Sequence, residues 1–355
     1  MAILASQASI FYAEKGYTEL SSYLRAAQPS MILILVDSNT HDNCLTIFLQ
    51  QLETDVAIEV IEMEAGEEHK NIETCSGIWN TLSELGADRK SLMINLGGGV
   101  VTDLGGFVAS TFKRGISYIN IPTSLLAMVD ASVGGKCGVD LGNLKNQIGV
   151  INQPEMVLID SNYLTSLPAN EMRSGLAEIL KHGLIASETY WEKATNLEAL
   201  TLEDLDSLIT ESIEIKSRIV KEDPTEKNLR KTLNYGHTLG HAIESYFLTN
   251  PEKTTLLHGE AIAAGMIMAT YLSHKICEFP SNKLENITKK INEIFPRINL
   301  LPDDYDIILD LLKFDKKNSH GNINFVLLKD IGEAEIDIIV PNELLIEAMN
   351  YYLKN

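Results

Sequence analysis

The first half of the chain alternates short apolar runs of β type with segments of helical periodicity, and this alternation constrains the fold most strongly. The β-type runs are 31–37 (MILILVD), 57–63 (AIEVIEM), 91–99 (SLMINLGGG), 118–124 (YINIPTS) and 155–160 (EMVLID). Such alternation favours an α/β domain built on a largely parallel sheet. After 166–171 (SLPANE) the pattern is mostly helical until 324–328 (NFVLL) and 334–341 (AEIDIIVP). We therefore predict an α/β domain over 1–167 and a mostly helical domain over 168–355.

The composition disfavours several classes of partner. With 355 residues, 45% hydrophobic and 22% charged, the chain is long enough for two domains with separate cores. Its formal net charge of −20 disfavours nucleic acid and anionic membranes as partners, since both attract basic surfaces. The apolar runs are shorter than the roughly 20 residues of a membrane span, and the first residues lack a basic flank leading into an apolar stretch. We therefore expect a cytoplasmic protein.

Five basic residues stand in glycine-rich or apolar stretches rather than on polar helix faces. They are Arg114, Lys136, Lys145, Lys181 and Arg230. In an acidic protein, such a set indicates a local site for an anionic substrate.

The segment 94–111 (INLGGGVVTDLGGFVAST) is a β-type run that ends in three glycines and enters a helix. Glycines let the backbone approach a pyrophosphate, and a helix N-terminus offers free N–H groups. The pattern departs from GxGxxG because Thr102 occupies the third glycine position. Asp37, the nearest candidate for a ribose contact, also precedes the glycines instead of following them. An NAD site and a tight strand-to-helix turn without a ligand both explain the segment.

The segment 121–149 is rich in glycine and carries Asp130, Lys136, Lys145 and Asn146. Because glycine favours neither helix nor strand, we predict an irregular segment whose polar side chains face a ligand. Lys and Asn side chains suit phosphate, where Lys acts as a point charge and Asn as a neutral donor. A surface loop without a ligand is the alternative.

Three histidines and one carboxylate stand on apolar segments of helical pattern. Glu178 and Lys181 are three residues apart on one helix face, a spacing more typical of a solvated ion pair than of a catalytic pair. Together with Glu178, the histidines at 237, 241 and 258 suit a divalent metal, although each one alone is more typical of a hydrogen-bonded core residue. Without an HExxH motif, the ligands would have to converge from distant segments, and spacing alone does not show this.

Nine stretches of the chain resemble 3-dehydroquinate synthases, a family within the sugar phosphate cyclases. They are GEEHK (66–70), GGGVVTDLGGF (97–107), KRGI (113–116), PTSLLAMVDASVGGKCGVD (122–140), LKNQIG (144–149), SGLAEILKHG (174–183), LRKTLNYGHTLGHAIE (229–244), LHGEAIAAGM (257–266) and DKKNSHGNINFVLL (315–328). One departure is Pro224, where the family has an acidic residue. The resemblance implies a Rossmann-like N-terminal α/β domain, a mostly α-helical C-terminal domain and a homodimeric cytosolic enzyme of the shikimate pathway.

The resemblance also implies a reaction and a set of site residues. The reaction converts 3-deoxy-D-arabino-heptulosonate 7-phosphate to 3-dehydroquinate and phosphate, with bound NAD+ and a divalent metal, zinc or cobalt. The implied metal ligands are Glu178, His237 and His258. The implied NAD contacts are Asp37, Glu67, Lys70, Gly98, Gly99, Val100, Asp103, Thr123, Ser124, Asp130, Lys136, Lys145 and Ser166. The implied substrate and catalytic residues are Asp130, Lys136, Lys145, Asn146, Lys181, Lys216, Arg230, Asn234, His241, one of Lys316 and Lys317, and Arg114, which would reach the neighbouring subunit's site.

Alternatives stay open within this resemblance. His237 would bind the metal and His241 would serve the departing phosphate, but their spacing also allows both to bind one metal. The function could instead be that of another cyclase, of the 2-deoxy-scyllo-inosose or valiolone type, whose substrate lacks a carboxylate; Lys216 and Arg230 argue against it. Two further alternatives are a polyol dehydrogenase of the glycerol dehydrogenase type and an NAD-binding protein without catalysis.

Overall fold

The computed structural model describes residues 8–142, 144–196, 201–312 and 323–355. The chain divides into two compact units, Met1–Met172 and Arg173–Asn355. The predicted domain ranges differ from these units at the boundary.

The first unit is an α/β domain. Its strands are β1 (Ser9–Tyr12), β2 (Ile32–Asp37), β3 (Ile58–Met63), β4 (Leu92–Gly97), β5 (Ser117–Pro122), β6 (Lys136–Leu141), β7 (Leu144–Ile151) and β8 (Met156–Ile159). Six of them form one sheet in the order β1-β8-β5-β4-β2-β3, whose pairings are parallel. The inner strands β2 and β4 are buried on both faces, which explains their continuous apolar sequences. The predicted parallel α/β domain is confirmed.

The helices of the first unit follow the strands in alternation. They are α1 (Ala13–Ala27), α2 (Ser38–Thr40), α3 (Thr46–Gln51), α4 (Ile72–Glu84) and α5 (Gly99–Thr111). One core cluster joins residues of β2, β3 and β4 to residues of α4 and α5. α5 therefore lies against the inner strands of the sheet.

The prediction of an irregular segment over 121–149 is wrong for its second half, where β6 and β7 form an antiparallel hairpin. Gly138 pairs with Gly149 across the hairpin. A Cβ atom on Gly138 would lie 2.5 Å from the carbonyl oxygen of Ile148, and one on Gly149 would lie 2.4 Å from that of Cys137. The glycines therefore permit a close approach of the two strands, and pairing supplies the stability that glycine propensity lacks.

The second unit is mostly helical, as predicted. Its helices are α6 (Ala169–Ala186, which begins in the first unit), α7 (Glu188–Thr195), α8 (Leu202–Glu222), α9 (His237–Thr249), α10 (His258–Ile276), α11 (Ser281–Ile294), α12 (Tyr305–Leu312) and α13 (Asn342–Lys354). β9 (Asn324–Asp330) and β10 (Glu333–Ile339) form an antiparallel pair. Among the described helices, none combines the length and the apolar composition that crossing a membrane would require.

Close contacts between glycines hold α9 against α10. A Cβ atom on Gly265 of α10 would lie 2.0 Å from the carbonyl oxygen of Gly236, the residue that precedes α9. A Cβ atom on Gly240 of α9 would lie 2.8 Å from Cδ1 of Ile262. The two helices can approach this closely only because these positions lack side chains. Their packing brings the start of α9 beside α10.

Candidate metal and cofactor sites

A histidine cluster lies where three helices of the second unit meet. It contains Glu178 of α6, His237 and His241 of α9, and His258 of α10. The Nε2 atoms of His237 and His258 lie 3.3 Å and 3.5 Å from Oε1 of Glu178. The ring centre of His241 lies 5.1 Å from that of His237 and 5.7 Å from that of His258. Side chains from three separate segments therefore converge, which spacing alone could not show.

Contacts at the Nδ1 atoms orient two of these rings. Nδ1 of His237 lies 3.0 Å from the carbonyl oxygen of Tyr235, and Nδ1 of His258 lies 3.3 Å from Oε2 of Glu244. Since both oxygens accept hydrogen bonds, Nδ1 carries the proton in the neutral form of each ring. The Nε2 lone pairs then face Glu178, which is the orientation that metal-binding histidines adopt.

The electrostatics of the cluster favour a cation. Burial alone would raise the pKa of Glu178, but Lys181 and His237 hold that pKa well below its usual range. Burial opposes a charge on His258, but Glu244 and Glu178 raise its pKa to about 10. Burial lowers the pKa of His237 and favours its neutral ring. Positive charge, as a proton or a metal ion, is therefore stabilised beside the Glu178 carboxylate.

The donor atoms of the cluster fit a divalent metal. Ligand atoms of His237, His241 and His258 lie within 4.8 Å of one another. Oε1 of Glu178 is buried and accepts no hydrogen bond, which is costly for a carboxylate unless a cation completes its surroundings. Imidazole nitrogens and a carboxylate oxygen are typical ligands of zinc and similar ions. His241 is close enough that both of its predicted roles stay open.

The acidic residue Glu244, which sequence reasoning missed, belongs to this cluster. Glu244 follows His237 by seven residues and His241 by three, a spacing that places all three on one face of α9. A carboxylate that hydrogen-bonds the outer nitrogen of a histidine fixes the ring and raises its basicity. The helical periodicity of 237–244 was the signal that could have identified Glu244.

Three cations of the second unit are buried. The Glu178 and Lys181 side chains are 0% and 1% exposed and in direct contact, so the alternative of a solvated ion pair is wrong. Lys216 of α8 and Arg230 are also buried. Burying a cation is costly without nearby anions. This unit therefore buries positive charge of the kind that binds phosphate and carboxylate groups.

Arg230 is held by a tightly hydrogen-bonded loop between α8 and α9. The carboxylate of Asp223 accepts the backbone N–H groups of Lys227 at 3.0 Å, Asn228 at 2.6 Å and Arg230 at 3.1 Å. Burial alone would raise the pKa of Asp223, but these hydrogen bonds lower it below its usual range. An ionised Asp223 therefore fixes the backbone that carries Arg230.

The same loop uses the backbone carbonyl of Pro224, the position at which the sequence departs from the resembled family. Nη1 of Arg230 donates to the carbonyl oxygen of Pro224 at 2.9 Å, and any residue supplies that carbonyl. Nδ2 of Asn234 donates to Oε1 of Glu226 at 2.8 Å. Sequence reasoning missed Glu226, whose contact with the predicted residue Asn234 depends on the fold of the loop.

In the first unit, six of the predicted NAD residues lie at the carboxyl ends of three neighbouring strands. β2 ends at Asp37, β4 leads into 98–100, and β5 leads into Thr123 and Ser124. From β2 the chain adds β3 on one side and β4 on the other, so the strand order reverses between β2 and β4. Open α/β sheets bind their ligands beside the carboxyl ends of the strands at such a point.

The glycine turn has the features of a phosphate-binding site, but its third glycine is displaced. α5 begins at Gly99 and has no side-chain cap at Gly98, so its first N–H groups suit an anion. The hydroxyl of Thr102 donates to the Gly98 carbonyl at 3.2 Å. The close contact between helix and strand occurs at Gly105, where a Cβ atom would lie 2.0 Å from Oδ1 of Asn95. The glycine for helix packing thus stands one turn later than in GxGxxG.

A polar network joins five other predicted residues of the first unit. Lys70 is 4% exposed, and its Nζ donates to Oδ2 of Asp103 at 2.7 Å and to Oδ1 of Asn146 at 2.8 Å. Nζ of Lys145 donates to Oε1 of Glu67 at 2.8 Å. Burial opposes the charge of Lys70, but Asp103 and Glu67 raise its pKa above the usual value.

Four further predicted residues of the first unit differ in their exposure and backbone conformation. Lys136 is exposed at the start of β6, and Asp130 is half-buried in the π-helical turn 127–131. Ser166 is exposed after β8. Arg114 is exposed and has a φ of 70°, a conformation that is rare for a residue with a side chain. The predicted substrate residues outside the described part of the chain are Lys316 and Lys317.

Comparison with known proteins covers both units. Residues 60–174 match the family model of the 3-dehydroquinate synthase N-terminal domain, and residues 175–318 match that of the C-terminal domain. A curated 3-dehydroquinate synthase of Parabacteroides distasonis is 42% identical over 337 residues, which cover 94% of this chain and 95% of the relative.

Solved structures of related cyclases have the same fold. A 2-deoxy-scyllo-inosose synthase in complex with carbaglucose-6-phosphate, NAD+ and Co2+ has a TM-score of 0.83 at 25% identity, over 98% of this chain and 99% of that one. A 2-epi-5-epi-valiolone synthase of Streptomyces hygroscopicus with NAD+ and Zn2+ has a TM-score of 0.83 at 23% identity, over 100% and 99%. With matching family models over both units and a curated relative at 42% identity, the chain belongs to the 3-dehydroquinate synthase family.

Proposed function

We propose that the chain converts 3-deoxy-D-arabino-heptulosonate 7-phosphate to 3-dehydroquinate and inorganic phosphate, with NAD+ and a divalent metal as cofactors. The observation that carries this proposal is the convergence of Glu178, His237 and His258 in a unit with buried cations. A metal held by nitrogen and carboxylate ligands can bind substrate hydroxyls. The buried cations can bind the phosphate and the carboxylate of a sugar acid phosphate. Membership of the family supports the same reaction.

Glu178, His237 and His258 would hold the metal, which when bound acidifies a substrate hydroxyl and orients the substrate. Tyr235 and Glu244 would keep the two rings in the binding orientation. The next histidine along α9, at position 241, would hold or move a proton at the departing phosphate. Zinc and cobalt both suit these ligands.

The carboxyl ends of β2, β4 and β5 would hold NAD+, which when bound takes a hydride from the substrate and later returns it. Asp37 would contact a ribose, and the N-terminus of α5 at 98–100 would receive the pyrophosphate. Thr123 and Ser124 lie at the end of the neighbouring strand. The other proposed NAD contacts are Glu67, Lys70, Asp103, Asp130, Lys136, Lys145 and Ser166.

Charged and amide side chains would bind the anionic groups of the substrate. Arg230 suits the carboxylate, because its guanidinium can form two parallel hydrogen bonds with it. Lys181 and Lys216 would add positive charge in buried surroundings. The remaining proposed substrate residues are Asp130, Lys136, Lys145, Asn146, Asn234 and one of Lys316 and Lys317.

The test is phosphate release from the heptulosonate with catalytic NAD+ and added metal. We expect one phosphate per dehydroquinate and no net NADH, because the hydride is returned. A polyol dehydrogenase would accumulate NADH instead. A cyclase of the inosose or valiolone type would turn over a carboxylate-free sugar phosphate in preference, and an inert NAD-binding protein would release no phosphate.

We further propose a cytoplasmic homodimer in which Arg114 reaches the neighbouring subunit's site. The exposed side chain of Arg114 and its unusual backbone conformation support a contact outside its own chain. We also propose that 1–167 binds NAD+ and that 168–355 binds metal and substrate. Light scattering on purified protein would test the dimer, and mixing an inactive Arg114→Ala variant with an inactive His237→Ala variant would restore activity if the sites are shared.

A further inference from the structure

The hairpin of the first unit contains a bulge at the position of two proposed substrate residues. In its register, Val139 pairs with Ile148 and Leu141 pairs with Leu144, so Asp140 alone stands opposite residues 145–147. Bulges re-aim side chains and are frequent beside active sites. This bulge therefore determines where the side chains of 145–147 point.

Asp140 replaces the hydrogen bond that the ladder loses at this bulge. Its Oδ1 accepts the backbone N–H of Asn146 at 2.5 Å. Asn146 has a φ of 52°, in the left-handed region, which asparagine adopts more readily than most residues with a Cβ atom. The Asp140 carboxylate therefore stabilises the conformation that Asn146 needs.

The same residues form a closed ring of hydrogen bonds. The backbone N–H of Asp140 donates to the carbonyl oxygen of Lys70 at 2.9 Å. Nζ of Lys70 donates to Oδ1 of Asn146 at 2.8 Å, and the Asn146 N–H returns to Asp140. Each residue of the ring thus fixes the next. The ring ties the 66–70 segment to the hairpin, although the two are far apart in sequence.

We propose that Asp140 is a positioning residue, whose carboxylate holds the bulge so that Lys145 and Asn146 face the substrate. The inference rests on the proposed function, since Lys145 and Asn146 are its proposed substrate contacts. In this role Asp140 acts through the acceptor oxygen that receives the Asn146 N–H. Asparagine, which keeps an acceptor oxygen of the same reach, should therefore replace it, whereas alanine should not.

The test compares Asp140→Ala, Asp140→Asn and the matched control Leu141→Ala, whose side chain is exposed on the same strand. We expect Asp140→Ala to raise the substrate KM and lower kcat/KM by about 5–10-fold, the upper range for the loss of one exposed hydrogen bond whose donor water can solvate. Asp140→Asn and Leu141→Ala should stay within about threefold of the wild type. Simple loss of folded protein would lower apparent kcat and leave KM unchanged.

Hydrogen–deuterium exchange of peptides covering 144–148 separates this inference from the proposed function. We expect faster exchange in Asp140→Ala and wild-type exchange in Asp140→Asn. Unchanged exchange in Asp140→Ala, or equal activity losses in the alanine and asparagine variants, would overturn the positioning role. A wild-type protein that releases no phosphate from the heptulosonate would overturn the proposed function, and the exchange data would still decide the role of Asp140.

Discussion

At the scale of single residues, His237 and His241 share one face of α9 but differ in their proposed roles. Nε2 of His237 lies 3.3 Å from Oε1 of Glu178, and its Nδ1 contacts the carbonyl oxygen of Tyr235. We expect His237→Ala to lower metal content and activity together. His241→Ala should keep its metal and NAD+ and lose about 10²–10⁴-fold in kcat, the range for a positioned proton-transfer group. Elemental analysis after dialysis measures the difference.

Two other outcomes of the metal analysis would contradict these roles. Equal metal loss would mean that His237 and His241 bind one ion together, as their clustered ligand atoms allow. Normal metal content in His237→Ala would remove His237 from the metal site.

Substitution of Arg230 should affect substrate binding and leave cofactor binding unchanged. We expect Arg230→Ala to weaken substrate binding by on the order of 2–5 kcal/mol, because a desolvated carboxylate is left without its partner. NAD+ affinity should be unchanged. Lys231→Ala is the matched control, since Lys231 forms an exposed ion pair with Asp337, which is worth at most about 1 kcal/mol. Substrate affinity equal in both variants would favour a substrate without a carboxylate.

At the scale of elements, the contact between α9 and α10 fixes the spacing of the cluster. We expect Gly265→Ala to destabilise the protein by about 1–3 kcal/mol, because the new methyl group overlaps the carbonyl oxygen of Gly236. Metal affinity should fall as well, since α9 begins at His237, directly after that carbonyl. Denaturant unfolding and metal titration measure the two effects.

Gly77→Ala is the matched control for this helix contact. Gly77 lies inside α4, and a Cβ atom there has no neighbour within 4 Å. Alanine should therefore stabilise the helix by roughly 0.5–1 kcal/mol. A loss of stability in both variants would mean that the glycine contact is not the cause.

The elements that sequence predicts well are those whose pattern is local. The continuous apolar runs of β2 and β4 identify inner strands of a parallel sheet, because both of their faces are buried. The β6–β7 hairpin was missed because its stability comes from pairing between residues that include Gly138 and Gly149. The low strand propensity of glycine describes one segment alone and does not indicate that a second strand pairs with it.

At the scale of the whole molecule, the resemblance supplied the candidate residues and the fold supplied their geometry. Glu178, His237 and His258 are far apart in the sequence, and their convergence depends on how three helices pack. Glu226 and Glu244 were missed because their contacts depend on that packing. Local pattern alone favoured a core histidine over a metal ligand at each position, because a single histidine on an apolar helix face is usually a hydrogen-bonded core residue.

A metal bound by ligands from three helices should stabilise the folded protein as a whole. The unfolded chain lacks the converged site, so metal at 100 times its dissociation constant should add about 2.7 kcal/mol. For a domain of this size, we expect Tm to rise by roughly 5–10 °C when zinc or cobalt is added to chelator-treated protein. Magnesium should give little rise, because it prefers oxygen ligands over imidazole. Calorimetry of the wild type and His237→Ala, each with and without metal, tests whether the stabilising ion binds at the histidine cluster. An equal rise in both proteins would place the stabilising ion away from the histidine cluster.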